Sequence, residues 1–295
     1  QNAVFGVDAD SRLFVQGSLA FTGNLNLYMG QLAAGGTLIA EDVFLPGKWE
    51  QVMARERANG IYLIPSKLLM LPRVFKGVNA NIRTIISGSQ SLGRKDAEVL
   101  KKIFPNTEIT LYYGASELNY ITYVKSADMT EERNLIGKPF PGVRVFIQDD
   151  EMYVDNAFHV ENITVPYSLK DSGRMDLQGN FYFLGRTDDI VGVRGRKVSM
   201  MKIENALEEV AGITEAAVVL LPKEKDADMP AEIVSAFVTV EGTDVPENLR
   251  QQLKEKLADF EIPKRVIVLE AFPKNTSGKV DKARLKKMWI EQEPQ

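Results

Sequence analysis

Residues 13–113 alternate between helix-like and strand-like hydrophobic patterns, and this alternation restricts the fold more than any other feature. Residues 16–32 (QGSLAFTGNLNLYMGQL) fit a buried helix or the loop approaching one; Gly35-Gly36 breaks it, and residues 37–40 are a short apolar strand. Residues 49–59 have helical period with a stop at Gly60, and residues 61–64 (IYLI) read as a strand ending at Pro65. Residues 82–87 are a further strand, Gly88-Ser89 turns into a helix over residues 94–103, and residues 108–113 (EITLYY) are strand again. Strands separated by helices are joined by crossovers rather than hairpins, which predicts a parallel sheet covered by helices.

Around Ser126 the pattern changes to short β-rich pieces at residues 143–148, 151–154 and 181–184, split by Gly, Asp and Asn turns. A small barrel or antiparallel sheet is expected there. A third style begins past Gly185. It has an amphipathic helix over residues 199–210, strands at 216–221 (AAVVLL), 232–240 and 265–269, and a helix over 246–260. The acidic stretch 222–230 reads as an exposed hairpin loop, and residues 273–279 (PKNTSGK) as a polar loop ahead of a basic C-terminal helix. No internal repeat or low-complexity tract is present. The predicted architecture is α/β: a parallel α/β layer over 1–125, a small β-barrel subdomain over 126–187, and a separate α+β domain over 188–295, with the boundary near Asp188.

Composition then removes whole classes of function. Lys+Arg number 36 against 40 Asp+Glu, a formal charge of −4, so no global positive field holds nucleic acid. Any anion must be gripped locally. There is no cysteine, which excludes disulfides, thiolate metal sites and a cysteine nucleophile and suits a reducing cytosol, so a cytoplasmic protein is expected. His159 is the single histidine, too few for a two-histidine zinc motif. No apolar run reaches the roughly 18 residues of a membrane span, and neither an anchor nor a signal peptide is read.

Four local clusters can carry chemistry. Tyr112-Tyr113-Gly114-Ala115-Ser116-Glu117 follows a buried strand: glycine permits close backbone approach, a hydroxyl meets phosphate, a carboxylate holds Mg²⁺, and an aromatic face stacks on a base. An ordinary strand-to-loop turn would look the same. Residues 171–186 (DSGRMDLQGNFYFLGR) put Asp171 and Arg186 at the ends of a hairpin, either a surface ion pair or a pair facing a sugar and a phosphate. Asp188-Asp189 followed by Arg194-Gly195-Arg196-Lys197 is an acidic step and a basic loop, often no more than solvated surface. Lys279 ends a glycine-containing loop, where a lysine can be simply exposed or can be delivered to a developing negative charge.

The order and spacing of these clusters resemble the acyl- and aminoacyl-adenylate-forming superfamily, which includes acyl-CoA synthetases, nonribosomal peptide adenylation domains and firefly luciferase. The resemblance runs from about Leu13 to about Leu285. It rests on residues 87–92 (SGSQSL), 113–117 (YGASE), 136–139 (IGKP), Asp171 with Gly179, residues 185–189 (GRTDD), Arg194-Gly195, Ile203-Glu204 and residues 273–279. It implies activation of a carboxylic acid with MgATP to an acyl-adenylate, then transfer to the thiol of coenzyme A or of a carrier protein's phosphopantetheine arm. By motif position, Tyr113 would stack on adenine beside Gly114, Ser116 would contact the α-phosphate, and Glu117 would ligate Mg²⁺. Ser89 falls in the segment running along the adenine. Asp171 would accept from the ribose hydroxyls, with Arg186 near ribose and phosphate. Lys279 would bridge the attacking carboxylate and the α-phosphate region. Asp188 matches the hinge of a mobile C-terminal domain, whose swing would replace Lys279 by residues 194–197 for the thiol step.

The chain also departs from the pattern. Family members carry an upstream Ser/Thr/Gly-rich loop ending in lysine that wraps the β- and γ-phosphates, and nothing here resembles it. Residue 1, a Gln, is expected to lie downstream of that loop, so the chain reads as the C-terminal part of a longer enzyme, inactive alone. Leu111 stands where Asn or Gln is common, Leu169-Lys170 replaces Thr-Gly, Ser116 replaces threonine, and Gly192 stands where many have lysine. The leading expectation is an acyl-CoA synthetase-like ligase acting on a small-molecule carboxylic acid. An aminoacyl-adenylating enzyme that loads a carrier protein and a divergent noncatalytic binding module are the alternatives. Phe21, Leu25 and Met29 fit either an apolar acid pocket or plain helix core.

Overall fold

In the computed structural model, which describes residues 1–187, 190–193, 195–223, 232–275 and 279–291 with the backbone alone at Lys197, the four strands predicted from the alternation and one not predicted, at residues 12–15, make a set of five parallel strands. These are β1 (Arg12–Val15), β2 (Thr37–Ala40), β3 (Gly60–Tyr62), β4 (Thr84–Gly88) and β5 (Glu108–Ala115). They lie in the order β2-β1-β3-β4-β5. Helices α1 (Asn2–Phe5), α2 (Thr22–Ala33), α3 (Pro46–Arg55), α4 (Pro65–Leu68), α5 (Leu71–Val74) and α6 (Arg94–Ile103) connect and cover them.

The register explains why both faces are apolar. Phe14, Ile61, Ile85 and Ile109 fall opposite one another across four strands. All four are fully buried in one cluster with Trp49 of α3 and Leu100 of α6. Their neighbours point the other way: Val15, Tyr62, Ile86 and Tyr112 meet Leu27 and Tyr28 of α2. A parallel sheet sandwiched in this way needs continuous apolar runs. Gly60 opens β3 instead of stopping a helix. A Cβ there would lie 2.9 Å from Leu13 Cδ1 and 3.0 Å from Thr84 Cγ2, so the side chains of the two neighbouring strands close over the space beside this glycine. The preceding helix starts earlier, with Pro46 in its first turn, and ends at Arg55.

From β5 the sheet continues without a break through strands of opposite direction: β6 (Asn119–Lys125), β7 (Leu135–Pro139), β8 (Arg144–Gln148), β9 (Glu151–Asp155), β10 (Tyr167–Met175) and β11 (Phe181–Arg186). The order runs on as β6-β7-β11-β10-β9-β8, making one eleven-stranded sheet. Of the two forms expected for this region, the antiparallel sheet is found. It is open at β8 rather than closed as a barrel, and it is hydrogen-bonded directly onto the parallel half.

The chain divides into two compact units, Gln1–Phe183 and Leu184–Gln295. In the second, a hairpin of β12 (Ile190–Val193) and β13 (Arg196–Ser199) leads into α7 (Met200–Glu208), whose first turn is capped by the Ser199 hydroxyl accepting from the Lys202 N–H at 3.3 Å. Strand β14 (Ile213–Pro222) pairs antiparallel with β15 (Glu232–Val240), and β16 (Arg265–Val268) lies parallel to β15. Alternation assigns Ala216 and Val218 to a core with Ile203 and Leu207 of α7. Ala217 and Val219 face a second cluster with Leu285 of α9 (Lys282–Glu291). Within 246–260 the helix is shorter than expected, α8 (Leu249–Lys254). The Lys202 ammonium bonds both oxygens of the buried Glu261 carboxylate, at 2.8 and 2.6 Å. Most of the expected 222–230 loop and the expected boundary residue Asp188 lie outside the described residues. No described helix is long and apolar enough to cross a membrane.

Candidate active site

Parallel strands send all their carboxyl ends to one edge, and the loops leaving that edge are where α/β sheets collect ligand-binding groups. Here Gln16 follows β1, Lys67 lies in α4 after β3, Ser89 and Gln90 follow β4, and Tyr113 is near the end of β5. Gly88 is in register with Tyr112, so Ser89 and Tyr113 leave the sheet side by side. The glycine is obligatory, since a Cβ at Gly88 would sit 2.5 Å from Cζ of Tyr112. Ser89 takes up a φ of 72° and is exposed. Gly114 has the same constraint from the other side: its Cβ would lie 2.4 Å from the Asn119 carbonyl oxygen.

Ser116 and Glu117 occupy the exposed turn between β5 and β6. The Glu117 carbonyl accepts from the Val160 N–H at 3.0 Å, which holds the turn against the segment joining β9 and β10. Asp171 comes from β10 and is buried, 8% exposed. The pairing of β10 with β9 shifts between Ser168 and Ser172, and Lys170 has a φ of 62°. A bulge of this kind re-aims side chains. The outcome is a direct contact: the Tyr113 hydroxyl donates to Asp171 Oδ2. The Tyr113 ring lies 5.9 Å from Phe183 at 35°. The expected hairpin closes at residues 176–180. There the Asp176 carboxylate accepts from the N–H groups of Gln178 and Asn180 and from the Asn180 amide, and the Asn180 side chain leads in holding its carboxyl below the usual range.

Among the described residues no group of three or more His, Asp or Glu side chains is placed to hold a metal ion. Glu117 is one exposed carboxylate next to a hydroxyl. That donor set does not make a metal cage, but it fits Mg²⁺, which commonly takes one or two carboxylates and keeps its remaining ligands as phosphate oxygens and waters.

The other predicted residues belong to the second unit. Gly185, with a φ of 125°, lies close to Ser199, whose hydroxyl donates to the Leu184 carbonyl at 2.9 Å; the exposed Arg186 follows. In the basic loop, Gly195 has a φ of 78° at the turn between β12 and β13, and the Arg196 guanidinium lies 4.7 Å over the Phe260 ring. Asp188 and Arg194 are outside the described residues, as is the Lys197 side chain. Lys279 is exposed, and its backbone is tied down: its N–H donates to Asn275 Oδ1 at 3.0 Å and its carbonyl accepts from the Asn275 N–H at 2.8 Å. Lys274 and Val280 form an antiparallel bridge outside this pair.

Three findings were not foreseen in the sequence. Phe21, Leu25 and Met29 are 43%, 42% and 58% exposed, so they are not helix core; α2 is anchored through Leu27, Tyr28 and Gln31. Leu111 is 4% exposed within the helix-side core, which is how the sheet absorbs a leucine at that position. A tyrosine network fixes the start of α2. Tyr62 hydrogen-bonds Asn24 Oδ1 at 2.7 Å and the Tyr112 hydroxyl at 2.9 Å, and Tyr120 donates to the Gly23 carbonyl at 3.1 Å. Burial raises the pKa of all three phenols, and raises Tyr28, also beside Asp42, to about 12. A polar cavity of about 270 Å³ opens at the opposite edge of the sheet, by Ser11, Asn59, Arg83 and Glu108, away from these groups.

The AMP-binding enzyme family matches residues 1–157, and the AMP-binding enzyme C-terminal domain matches residues 202–279. The chain belongs to the AMP-binding enzyme family. Among its relatives is the uncharacterized acyl-CoA ligase YhfT of Bacillus subtilis (strain 168), 25% identical over 311 residues, which cover 99% of this chain and 63% of YhfT. A component of the linear gramicidin synthase of Brevibacillus parabrevis is 26% identical over 319 residues, covering 96% of this chain and 6% of that protein. The chain thus spans less than two thirds of the length of either relative. The fold is shared with O-succinylbenzoate coenzyme A synthetase (MenE) from Bacillus subtilis, solved in complex with ATP and magnesium ion: the TM-score is 0.82 at 19% identity, over 97% of this chain and 63% of that one.

Proposed function

We propose that this chain serves in the ATP-dependent activation of a small carboxylic acid to an acyl-adenylate, followed by transfer of the acyl group to the thiol of coenzyme A. The observation that carries the reading is the Tyr113–Asp171 contact at the carboxyl edge of the sheet, beside Ser89. It joins an aromatic face to a buried carboxylate, the pair of surfaces that a purine and its ribose hydroxyls require.

In the first step a carboxylate oxygen of the acid attacks the α-phosphorus, the bond to the β-phosphate oxygen breaks, and pyrophosphate leaves. Tyr113 stacks on the base, Asp171 accepts from the ribose, and Ser116 donates to the α-phosphate. Glu117 holds Mg²⁺, which when bound offsets phosphate charge. Lys279 supplies an ammonium to the negative charge that builds between acid and phosphate. In the second step the thiol sulfur attacks the acyl carbon, AMP departs, and the thiol proton passes to solvent. Arg186 and the loop of Arg194, Gly195, Arg196 and Lys197 are the cationic groups assigned to the nucleotide and the thiol carrier, and Asp188 to the hinge between the two steps. The similarity to the linear gramicidin synthase component supports a second acceptor, a carrier protein's phosphopantetheine arm.

ATP–pyrophosphate exchange with a broad acid panel, using the full protein that contains this chain, tests the reading. Acid-dependent exchange that is lost in Lys279→Ala and in Glu117→Ala supports it. Absence of exchange with every acid sinks it.

A further inference from the structure

The half-buried lysines of the second unit find carboxylates: Lys202 meets Glu261 at 2.6 Å and Lys282 meets Glu204 at 2.8 Å. Lys67 does not. Its ammonium donates to the Gln16 side-chain oxygen and to the Gln16 carbonyl at 3.3 Å, and it lies 5.7 Å over the Phe44 ring. Among the described residues no carboxylate comes within ion-pair distance of it. Burial alone lowers its affinity for the proton, with no acidic neighbour offsetting that effect. A partly desolvated cation served by a neutral amide, a neutral carbonyl and a ring is under-compensated, and such groups concentrate where a ligand supplies the missing charge.

Its position agrees. Lys67 follows β3, its partner Gln16 follows β1, and the Ser66 N–H donates to Gln90 Oε1 at 3.0 Å, next to Ser89 after β4. Lys67 therefore belongs to the same carboxyl edge as Ser89 and Tyr113. Beside it stands Phe44, 46% exposed and held edge-on against Trp49 at 5.5 Å. The place offers an apolar surface ending in a positive charge.

We propose that Lys67 is a specificity-determining residue that binds a second carboxylate on the acid substrate, so that the acid activated here is a dicarboxylate whose apolar spacer lies along Phe44. One ammonium balances one carboxylate. A phosphate carries about −1.5 to −2 at neutral pH and would be left partly unmatched. The inference rests on the acid-activating reading above, which supplies the first, reacting carboxylate.

The test compares chain-matched pairs, glutarate with butyrate and adipate with pentanoate, in ATP–pyrophosphate exchange by the full protein. The expected preference for the diacid in kcat/KM is about tenfold or more. Lys67→Met, which keeps the aliphatic stem, brings the ratio to about one, and Lys67→Arg, which keeps the charge, retains a preference above about threefold. A wild-type ratio at or below one, or a ratio unchanged in Lys67→Met, overturns the proposal. A second measurement works without ATP: the ¹³C signal of reductively dimethylated Lys67, assigned by its loss in Lys67→Met, is titrated with each acid. Saturable movement with glutarate and none with butyrate supports the site even where exchange fails, in which case only the ligase reading falls. A signal that glutarate does not move overturns the site even where exchange succeeds.

Discussion

The Tyr113 hydroxyl donates to the Asp171 carboxylate across 58 residues of sequence, binding the end of β5 to the bulged strand β10. Two groups assigned to one nucleotide thus position each other before any ligand arrives. Asp171 is the buried partner, and Tyr113 is half-buried.

Replacing each partner separates orientation from binding. On the proposed function, Asp171→Asn removes the charge that Tyr113 meets and that the ribose hydroxyls would share, and weakens ATP binding by about tenfold or more. Tyr113→Phe keeps the ring and costs about threefold. Calorimetric titration with ATP reads both, and a larger loss in Tyr113→Phe than in Asp171→Asn would assign recognition to the hydroxyl instead.

Gly88→Ala places a methyl group within the Tyr112 ring, at 2.5 Å from Cζ. The ring has little room to yield, because its hydroxyl is held by Tyr62 at 2.9 Å. The expected loss is about 1–3 kcal/mol, as for other overpacked cores, measured by urea denaturation. Gly192→Ala, where nothing lies within 4 Å of the added carbon, serves as the control.

The tyrosine network sets an alkaline limit. Tyr62, Tyr112 and Tyr120 have pKa values raised by burial above the ordinary value of 10.0, and Tyr28 reaches about 12. A phenol harder to ionise in the fold than in the unfolded chain adds stability that is fully present below pH 10 and is lost as pH rises through the folded value. Circular dichroism and tyrosinate absorbance should therefore change together above pH 10. Tyrosinate from these residues forming ahead of any loss of structure would contradict the network.

In the second unit, Lys202→Met leaves the Glu261 carboxylate with the Ala258 N–H, at 2.9 Å, as its remaining bond. The carboxylate is 7% exposed and Lys202 is 49% exposed, so the loss is moderate, about 1–2 kcal/mol. Lys202→Met with Glu261→Gln should recover part of it by removing the uncompensated charge. Denaturation of the two variants side by side decides.

Four strands of the parallel half, β2 to β5, were legible as short apolar runs, and the helix over residues 94–103 was read at its true limits, whereas β1 (RLFV) merged into the apolar stretch that follows it and was not read as a strand. Strand β10 was read only from Asp171 on, as an arm of the hairpin over residues 171–186; its first half was not, because YSLK is interrupted by polar residues and the bulge that turns Asp171 inward. The hairpin of β12 and β13 was hidden in the same way by its basic turn. Tyr113 and Asp171 were each readable as candidates, whereas their contact depends on strand order and a register shift that no local pattern encodes. Lys67 went unread because Pro-Ser-Lys after a strand looks like an ordinary helix start; only its lack of a carboxylate partner distinguishes it.

The paired bonds between Asn275 and Lys279 and the Lys274–Val280 bridge tie the backbone of Lys279 to its neighbours in the loop, and Val280 next to it packs against the cluster of Phe237, Phe272 and Leu285 in the same unit. Its ammonium can change rotamer, but its backbone cannot swing independently. Any larger relocation must carry the whole C-terminal unit through solvent, against viscous drag. A step that depended on such a relocation would slow as glycerol thickened the medium, whereas a step governed by the side chain alone would keep its pace.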